Sequence, residues 1–314
     1  MGLTDVLVVN AGSTSLKLSV VDAGDASRAI DSIDDTPPVG AVGHRVVHGG
    51  ERFVEPTLID DAVVAALAEL VELAPLHNAP ALAAIERARV ALPDVPQVAV
   101  FDTAFHATLP EVARTYALPA RFRERGIRRF GFHGLSVQWA AEQVSVPRLV
   151  VCHLGGGSSV TAVAAGRSVD TTMGFTPLEG VPMATRAGSI DPGVLLYLLA
   201  HDVPADELAD ALEHASGLTG LAGTGDVAEL ERSAAPEAQL ALDLFSYRVA
   251  QAVAAMSVTL GGLDAVAFTG GVGEHSSGVR DAVCDRLAFL QPFDVHVVPA
   301  REDVVIARAV RSRL

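Results

Sequence analysis

Lysine is almost absent from this chain of 314 residues: Lys17 is the only one among 23 basic side chains, and the rest are arginine. Asparagine is nearly as scarce, with Asn10 and Asn78 alone. The 2 cysteines, Cys152 and Cys284, sit in apolar stretches, which excludes a disulfide framework or a cysteine-built metal cage and fits a reducing compartment. Positive charge is short as well. A formal charge of −15 excludes a broad nucleic-acid surface, which needs a basic stripe. The single local basic cluster, Arg121, Arg123, Arg125, Arg128 and Arg129, reads as a solvated helix face and loop in preference to a substrate-steering patch. No apolar run approaches the roughly 20 residues of a membrane-spanning helix. Asp5 interrupts the first apolar stretch and no basic leader precedes it, so neither a secretory signal nor membrane association is expected, and the chain is read as cytoplasmic.

What is present starts from Lys17. A chain that elsewhere uses arginine keeps lysine where a compact ammonium fits and a flat fork does not, as in a crowded phosphate pocket. Val6 to Val9 is an apolar strand, Ala11 to Ser15 a turn rich in glycine and hydroxyls, and Leu16 to Val21 a second strand. Small residues let backbone N–H groups approach phosphate oxygens, and hydroxyls donate further hydrogen bonds. The design returns later in the chain. Leu149 to Cys152 is again a buried strand, His153-Leu154-Gly155-Gly156-Gly157-Ser158-Ser159 a turn, and Val160 to Ala164 leads away. Asn10 falls opposite His153, and Gly12 opposite Gly155. Two matched hairpins point to a duplicated unit whose two copies face one polyphosphate.

The remaining pattern is α/β, with a length and a 50% hydrophobic content that suit two domains. Strands are expected at Ala41–Val47, Val98–Phe101, Ala265–Thr269 and Val295–Val298. Helices are expected over 61–73, 79–92, 136–144, 193–200, 239–260 and 302–311, and the polar stretch from Asp22 to Pro38 as a surface connection. Gly270-Gly271-Val272-Gly273 closes a strand and should open onto a helix, a turn that brings backbone close to a nucleotide. A dinucleotide-binding reading of that cluster fails for want of the strand–turn–helix spacing and an acidic ribose partner.

Phosphoryl transfer needs cations to neutralise the moving group, donors to orient it and oxygen ligands for Mg²⁺. Arg45 stands at an expected strand end in Gly43-His44-Arg45-Val46-Val47-His48-Gly49-Gly50, and Arg186 in the glycine-bounded loop Pro182-Met183-Ala184-Thr185-Arg186-Ala187-Gly188. Asp102 lies just beyond a buried strand in Phe101-Asp102-Thr103-Ala104-Phe105-His106, where α/β proteins collect active-site groups and where Asp also caps helices. His133 lies between glycines in Gly131-Phe132-His133-Gly134.

Taken in order, these segments resemble the acetate kinases, of the superfamily that also holds sugar kinases, actin and the Hsp70 ATPase. The resemblance adds Ala74-Pro75-Leu76-His77-Asn78, Thr176-Pro177-Leu178-Glu179-Gly180 and Gly271-Val272-Gly273-Glu274 to the motifs above, and runs from Val6 to the C-terminus. It implies two duplicated ribonuclease-H-like, actin-like domains around an interdomain cleft: residues 1–104 with 304–314, and residues 105–303. It further implies reversible transfer of the γ-phosphoryl of ATP to acetate, or to a similar short carboxylate such as propionate, with Mg²⁺ or Mn²⁺. A homodimer formed largely by the second domain, through its long helix 239–260, is implied too. By the same analogy Asn10 and Glu302 hold the metal, and Ser13, Ser15 and Lys17 touch phosphates. Arg45 grips the substrate carboxylate, while Val47, Leu76, Pro182 and Met183 wall an acyl pocket. Asp102, His133 and Arg186 serve the transferring group. His153, Leu154, Gly155, Gly156 and Gly157 form the second phosphate loop, with Asp226, Val227, Ala228, Gly271, Val272, Gly273, Glu274 and His275 at the adenosine end. A carboxylate substrate with a pKa near ~4–5 is already ionised at neutral pH. Asp102 is therefore expected to orient Arg45 or metal-bound water instead of acting as a base.

Departures from the family pattern lie on the nucleotide side. Gly156 and His275 stand where asparagine is usual, Ala228 where arginine is usual, and Ser189 where an acid is common; the loop before Asp226 is one residue short. Material is also lacking between Asp22 and Val42 and between Leu290 and Val297. A different donor, pyrophosphate or another nucleotide, and a nucleotide-responsive binding protein without turnover are the alternatives those departures raise.

Overall fold

A computed structural model describes residues 5–12, 16–73 and 75–314, and the backbone alone of residues 72, 73 and 75–77. The chain forms two compact units: residues 1–107, 132–139 and 301–314 in the first, and residues 108–131 and 140–300 in the second. The sheet of the first unit is built from β1 (Val6–Ala11), β2 (Leu16–Val21), β3 (Ser27–Ile30), β4 (Ala41–Val46), β5 (Thr57–Leu58) and β6 (Gln97–Phe101), in the order β3-β2-β1-β4-β6-β5. That of the second is built from β7 (Arg148–Leu154), β8 (Ser158–Ala164), β9 (Arg167–Thr171), β10 (Ala265–Thr269) and β11 (Asp294–Val297), in the order β11-β10-β7-β8-β9.

The two sheets share one plan. A first strand pairs antiparallel with a second (β1 with β2, β7 with β8), the second pairs antiparallel with a third, and two later strands add parallel on the other side. This repeat of three antiparallel and two parallel strands is the duplicated ribonuclease-H-like fold. In the first hairpin Asn10 is the register partner of Lys17; in the second His153 is the partner of Ser159. The hairpin positions singled out in the sequence thus sit at matching places in the two sheets.

Both faces of the central strands are covered, which explains their unbroken apolar runs. On one face of the first sheet Leu7, Val9, Val42 and Phe101 pack with Ala81, Ile85 and Ala88 of the helix Pro75–Ala91. On the other, Val6, Val8, Val98 and Val100 pack with Val304, Ile306 and Val310 of the C-terminal helix Glu302–Arg313. That helix lies close because Gly43 has no side chain: a Cβ there would stand 2.6 Å from Ile306 Cγ2 and 2.7 Å from Val310 Cγ2. In the second unit the helix Pro236–Leu260 buries Phe245, Val249, Val253 and Met256 against Val150, Val160 and Val266. Each such side chain contributes roughly 1.5–3 kcal/mol relative to exposure.

Some elements depart from expectation. The connection from Asp22 to Pro38 holds β3, whose four residues carry no buried position and hence no alternation to read. The helix read from 79 begins at Pro75 and runs through Pro80, which mimics a first-turn proline in sequence. The helix read as 61–73 ends at Glu69 and continues as a 3₁₀ turn over Leu70–Leu73.

Two buried histidines make the fold sensitive to acid. His44 on β4 donates Nε2–H to Gln97 Oε1 at 2.8 Å, and its Nδ1 is buried without a partner. His106 Nε2 lies 2.9 Å from the Phe132 carbonyl. Burial pulls both imidazoles down to about 4, against the opposing pull of those hydrogen bonds. The unfolded chain takes up these protons near ~6.5, before the folded one does, so stability present above that pH is lost as pH falls toward about 4. Each site can account for up to about 3 kcal/mol. Urea unfolding at pH 7.5, 6 and 5 should show falling stability, with about half the slope in His44→Gln; an unchanged slope in that variant would contradict the assignment.

Candidate active site

Three parallel strands of the first sheet, β1, β4 and β6, bring Asn10, Arg45 and Asp102 to neighbouring carboxyl ends, where open α/β sheets place their ligands. The side chains form one network. Arg45 Nε donates to Asp102 Oδ2 at 3.0 Å, and Nη2 donates to the same oxygen in a very short bond. Arg45 Nη1 donates to Asn10 Oδ1 at 3.1 Å, and Asn10 Nδ2 donates to Glu302 Oε2 at 2.9 Å. Glu302, the first residue of the C-terminal helix, also lies 4.0 Å from Arg45 Nε. The Asn10 amide is therefore fixed, with its oxygen toward the cation and its nitrogen toward the carboxylate.

Burial alone would lower the pKa of Arg45, but the charges of Asp102 and Glu302 outweigh it and hold the guanidinium firmly protonated. For Asp102, burial and the Glu302 charge push the carboxyl upward, and Arg45 opposes them. Its Oδ1 is buried with no hydrogen-bond partner of normal geometry, although the Leu135 amide nearby favours the ionised form. That amide opens the helix Gly134–Gln143, so the positive end of the helix dipole supports the anion. Gly134 N–H donates to the Asp102 carbonyl at 3.0 Å, and a Cβ at Gly134 would stand 2.0 Å from that carbonyl oxygen, so only glycine fits. His133 precedes it in a left-handed conformation, φ 59°, a costly geometry for a non-glycine residue and one found where structure fixes a functional group. Val47 is buried beyond the end of β4. Lys17 lies on β2 opposite Asn10. Ser13 and Ser15 lie outside the described residues, as does the side chain of Leu76.

The second unit gathers the other group. His153 and Leu154 end β7, and Gly155 N–H donates to the Gly157 carbonyl at 3.0 Å to make the following turn. Thr269 at the end of β10 is the register partner of His153, and a Cβ on Gly270 would stand 2.7 Å from the Leu154 carbonyl. The glycine turn of Gly270 to Gly273 and the turn that follows β7 are thus packed side by side. It opens the short helix Gly270–His275, which carries Gly271, Val272, Gly273, Glu274 and His275. Glu274 Oε1 accepts from the N–H groups of Gly270, at 3.1 Å, and Ala300, at 3.0 Å, so this carboxylate ties the turn together. Asp226 caps the helix Val227–Arg232 by accepting from the Ala228 amide at 2.9 Å. A Cβ on Gly156 would meet nothing within 4 Å, so the backbone does not demand glycine there.

Arg186 is carried by a loop fastened to the helix Gly217–Ala222. Met183, Ala184 and Thr185 offer their carbonyls to the amides of Leu218, Thr219 and Ser216, and Met183 is itself fully buried. A Cβ on Gly217, φ 61°, would lie 2.2 Å from the Met183 carbonyl. Arg186 Nη1 donates to the Pro177 carbonyl at 3.0 Å, and no carboxylate lies within ion-pair distance of it among the described residues. Partial burial lowers its pKa, with the more distant Glu213 opposing, but not enough to discharge an arginine.

The arginine cluster read as a solvated face needs correction at its end. Arg129 is turned inward, its side chain 16% exposed, and pairs with Glu179 at 2.6 Å. Its partner Glu179 and a further contact of Glu179, Tyr116, carried no assigned role in the sequence; their separation along the chain hides the contact. Among the described residues no group of three or more His, Cys, Asp or Glu could hold a metal, and no helix is long and apolar enough to cross a membrane.

Comparison with known proteins adds to this geometry. Residues 25–304 match the model of the acetokinase family. An acetate kinase of Nostoc punctiforme is 46% identical over 286 residues, which cover 87% of this chain and 70% of that protein; two further acetate kinases are matched over 66% and 65% of their length. Among solved structures, a propionate kinase from Francisella tularensis has a TM-score of 0.91 at 31% identity, with 98% of each chain covered. The acetate kinase of Porphyromonas gingivalis has a TM-score of 0.85 at 30% identity, covering 98% of this chain and 99% of that one. With the duplicated fold and the ordered motifs, these matches show that the chain belongs to the acetokinase family.

Proposed function

We propose that this chain transfers the γ-phosphoryl group of ATP to acetate, or to a similarly short carboxylate, giving an acyl phosphate and ADP reversibly and by direct in-line displacement. One observation carries the reading: Arg45 is locked by Asp102 and Asn10 with donors to spare. Of the five N–H groups of a guanidinium, those contacts use three, and two are left for a substrate carboxylate. That nucleophile is already an anion, so it needs alignment and charge neutralisation, not deprotonation. Asp102 supplies the alignment by holding Arg45. His133 and Arg186 neutralise the equatorial oxygens of the transferring group, and the turns at His153–Gly157 and Gly271–His275 receive the nucleotide. Membership of a family of acetate kinases favours this reading over a pyrophosphate donor or a binding protein without turnover. The propionate kinase neighbour keeps propionate as an acceptor to test.

The donor set fits Mg²⁺. Glu302 and Asn10 offer hard oxygen ligands, and the buried Asp102 Oδ1 leaves a further acceptor in the same network. Few protein oxygens suffice, because Mg²⁺ is commonly held by one or two carboxylates together with substrate phosphates and water. When bound, the ion supplies charge neutralisation at the phosphates.

The chain is further proposed to act as a cytoplasmic homodimer. The long helix Pro236–Leu260 uses much of its apolar surface within its own core. The helix Pro192–Ala200, by contrast, has no buried residue, with Leu196 69% and Tyr197 60% exposed. A patch of this kind favours self-association.

Lys17→Arg should raise the KM for ATP about tenfold, because the bulkier fork cannot seat where the ammonium does; steady-state kinetics with an unaltered KM would remove Lys17 from the phosphate site. The reading as a whole is tested by a matrix of ATP, GTP and pyrophosphate against acetate, propionate and butyrate with Mg²⁺. Selective use of ATP with acetate or propionate is expected. A strong preference for pyrophosphate would overturn the donor assignment.

A further inference from the structure

Among the described residues the Arg186 side chain makes one hydrogen bond, to the Pro177 carbonyl, so the placement of its guanidinium depends on what holds residues 172–179. Nothing in the active-site assignments accounts for that segment. It is gripped from two sides by residues to which no active-site role has been assigned. Arg129 Nη1 donates to the carbonyls of Thr172, at 2.9 Å, and Met173, at 3.0 Å, while its Nη2 donates to Glu179 Oε1 at 2.6 Å. Tyr116 donates its hydroxyl to Glu179 Oε2 in a very short bond and accepts the Phe175 N–H at 2.9 Å. The Phe130 and Gly131 amides both donate to the Gly174 carbonyl, at 3.1 and 3.3 Å. Gly174 is closed in by the same groups: a Cβ there would stand 1.8 Å from Glu179 Oε2 and 2.2 Å from the Tyr116 hydroxyl.

The arrangement does two things. It fixes the Pro177 carbonyl from both flanks, through Met173 and Phe175 on one side and Glu179 on the other. It also occupies both oxygens of Glu179, which lies only two residues from Pro177, with an arginine and a phenol. A carboxylate satisfied in this way has little left to offer Arg186, and Arg186 has no carboxylate within ion-pair distance among the described residues.

We propose that Arg129 and Tyr116 are positioning residues for Arg186: by gripping the 172–179 segment and taking up the Glu179 carboxylate, they aim the guanidinium and leave its charge for the transferring phosphoryl group. The inference rests on the assignment of Arg186 to phosphoryl transfer. Loss of either residue shifts the Pro177 carbonyl and frees a carboxylate oxygen nearby. The consequence falls on the transition state, where a misplacement of about 1 Å can cost on the order of 100-fold.

The test is steady-state kinetics of the full chain with ATP, acetate and Mg²⁺, together with thermal melts, for Tyr116→Phe, Arg129→Gln and the double variant Arg129→Gln/Glu179→Gln. The parent must first form acyl phosphate; if it does not, the functional reading fails and the positioning question does not arise. Given an active parent, Arg129→Gln should lower kcat about 10- to 100-fold and Tyr116→Phe about 5-fold, with both KM values within about twofold. The double variant exchanges the stranded acid for an amide that can pair with the amide introduced by Arg129→Gln, and should recover at least part of the lost kcat. A folded Tyr116→Phe and Arg129→Gln that both keep the parental kcat would overturn the proposal. So would losses confined to KM, or a double variant no faster than Arg129→Gln alone. Should Arg129→Gln fail to fold, the kcat and KM of Tyr116→Phe decide the matter.

Discussion

Arg186→Ala should lower turnover about 100- to 1,000-fold while the KM values for ATP and acetate stay within about twofold. The guanidinium sits partly buried on a loop pinned to the helix Gly217–Ala222, makes a single hydrogen bond to a neutral carbonyl and has no carboxylate within ion-pair distance among the described residues. Its charge is thus not paired with a carboxylate at short range among the described residues. A charge held in place without a partner interacts most strongly with the state of the reaction that develops the most negative charge, which is the loss-of-turnover pattern expected here. Kinetics in both directions checks this. A rise in KM with kcat preserved would place Arg186 in ground-state binding instead.

Asp102→Ala should both destabilise the first unit, by about 3–5 kcal/mol, and disable acceptor binding. The side chain is the ionic partner of a guanidinium that burial would otherwise penalise, and removing it leaves the Arg45 charge with Asn10 and a carboxylate 4.0 Å away. Asp102→Asn separates orientation from charge, because it retains the shape and one acceptor oxygen. The KM for acetate should rise at least about tenfold in Asp102→Asn, since a displaced Arg45 loses one charged hydrogen bond or more to the substrate. Kinetics in the folded protein decides the role. If Asp102→Asn abolishes kcat with the acetate KM unchanged, Asp102 takes part in the chemical step and does not merely hold Arg45.

The hairpins were legible because two independent signals coincide in each: an apolar strand and a turn of glycines and hydroxyls, repeated at matching positions around Asn10 and His153. The central strands β1, β6, β7 and β10 were legible for a related reason, since burial on both faces favours an apolar run. By contrast β3 has no buried residue, and β5 has two residues in all, so neither leaves a hydrophobic period. Within the site, Asn10, Arg45 and Asp102 stood out singly, by rarity or by place at a strand end, and Glu302 only through the family resemblance. Their mutual bonds did not, because they join residues as far apart in the chain as Asn10 and Glu302. Arg129 was misjudged for the same reason. It shares a sequence cluster with the arginines of the short helix Ala120–Arg123, and only the fold brings Glu179 and Tyr116 to it.

The departures at Gly156, Ala228 and His275 find a partial structural context. Asp226 is engaged as the cap of the helix that carries Ala228, and the carboxylate of Glu274, next to His275, binds backbone amides. The turns that surround the nucleotide in the proposed reaction are therefore held by their own hydrogen bonds without the family's usual side chains at those three positions.

The most direct test of the account is trapping with hydroxylamine. Incubation of the chain with ATP, acetate, Mg²⁺ and hydroxylamine should yield acyl hydroxamate and ADP in equal amounts, both dependent on acetate. ADP without hydroxamate would mean that water, not the carboxylate, receives the phosphoryl group, and formation of neither product would contradict the account outright.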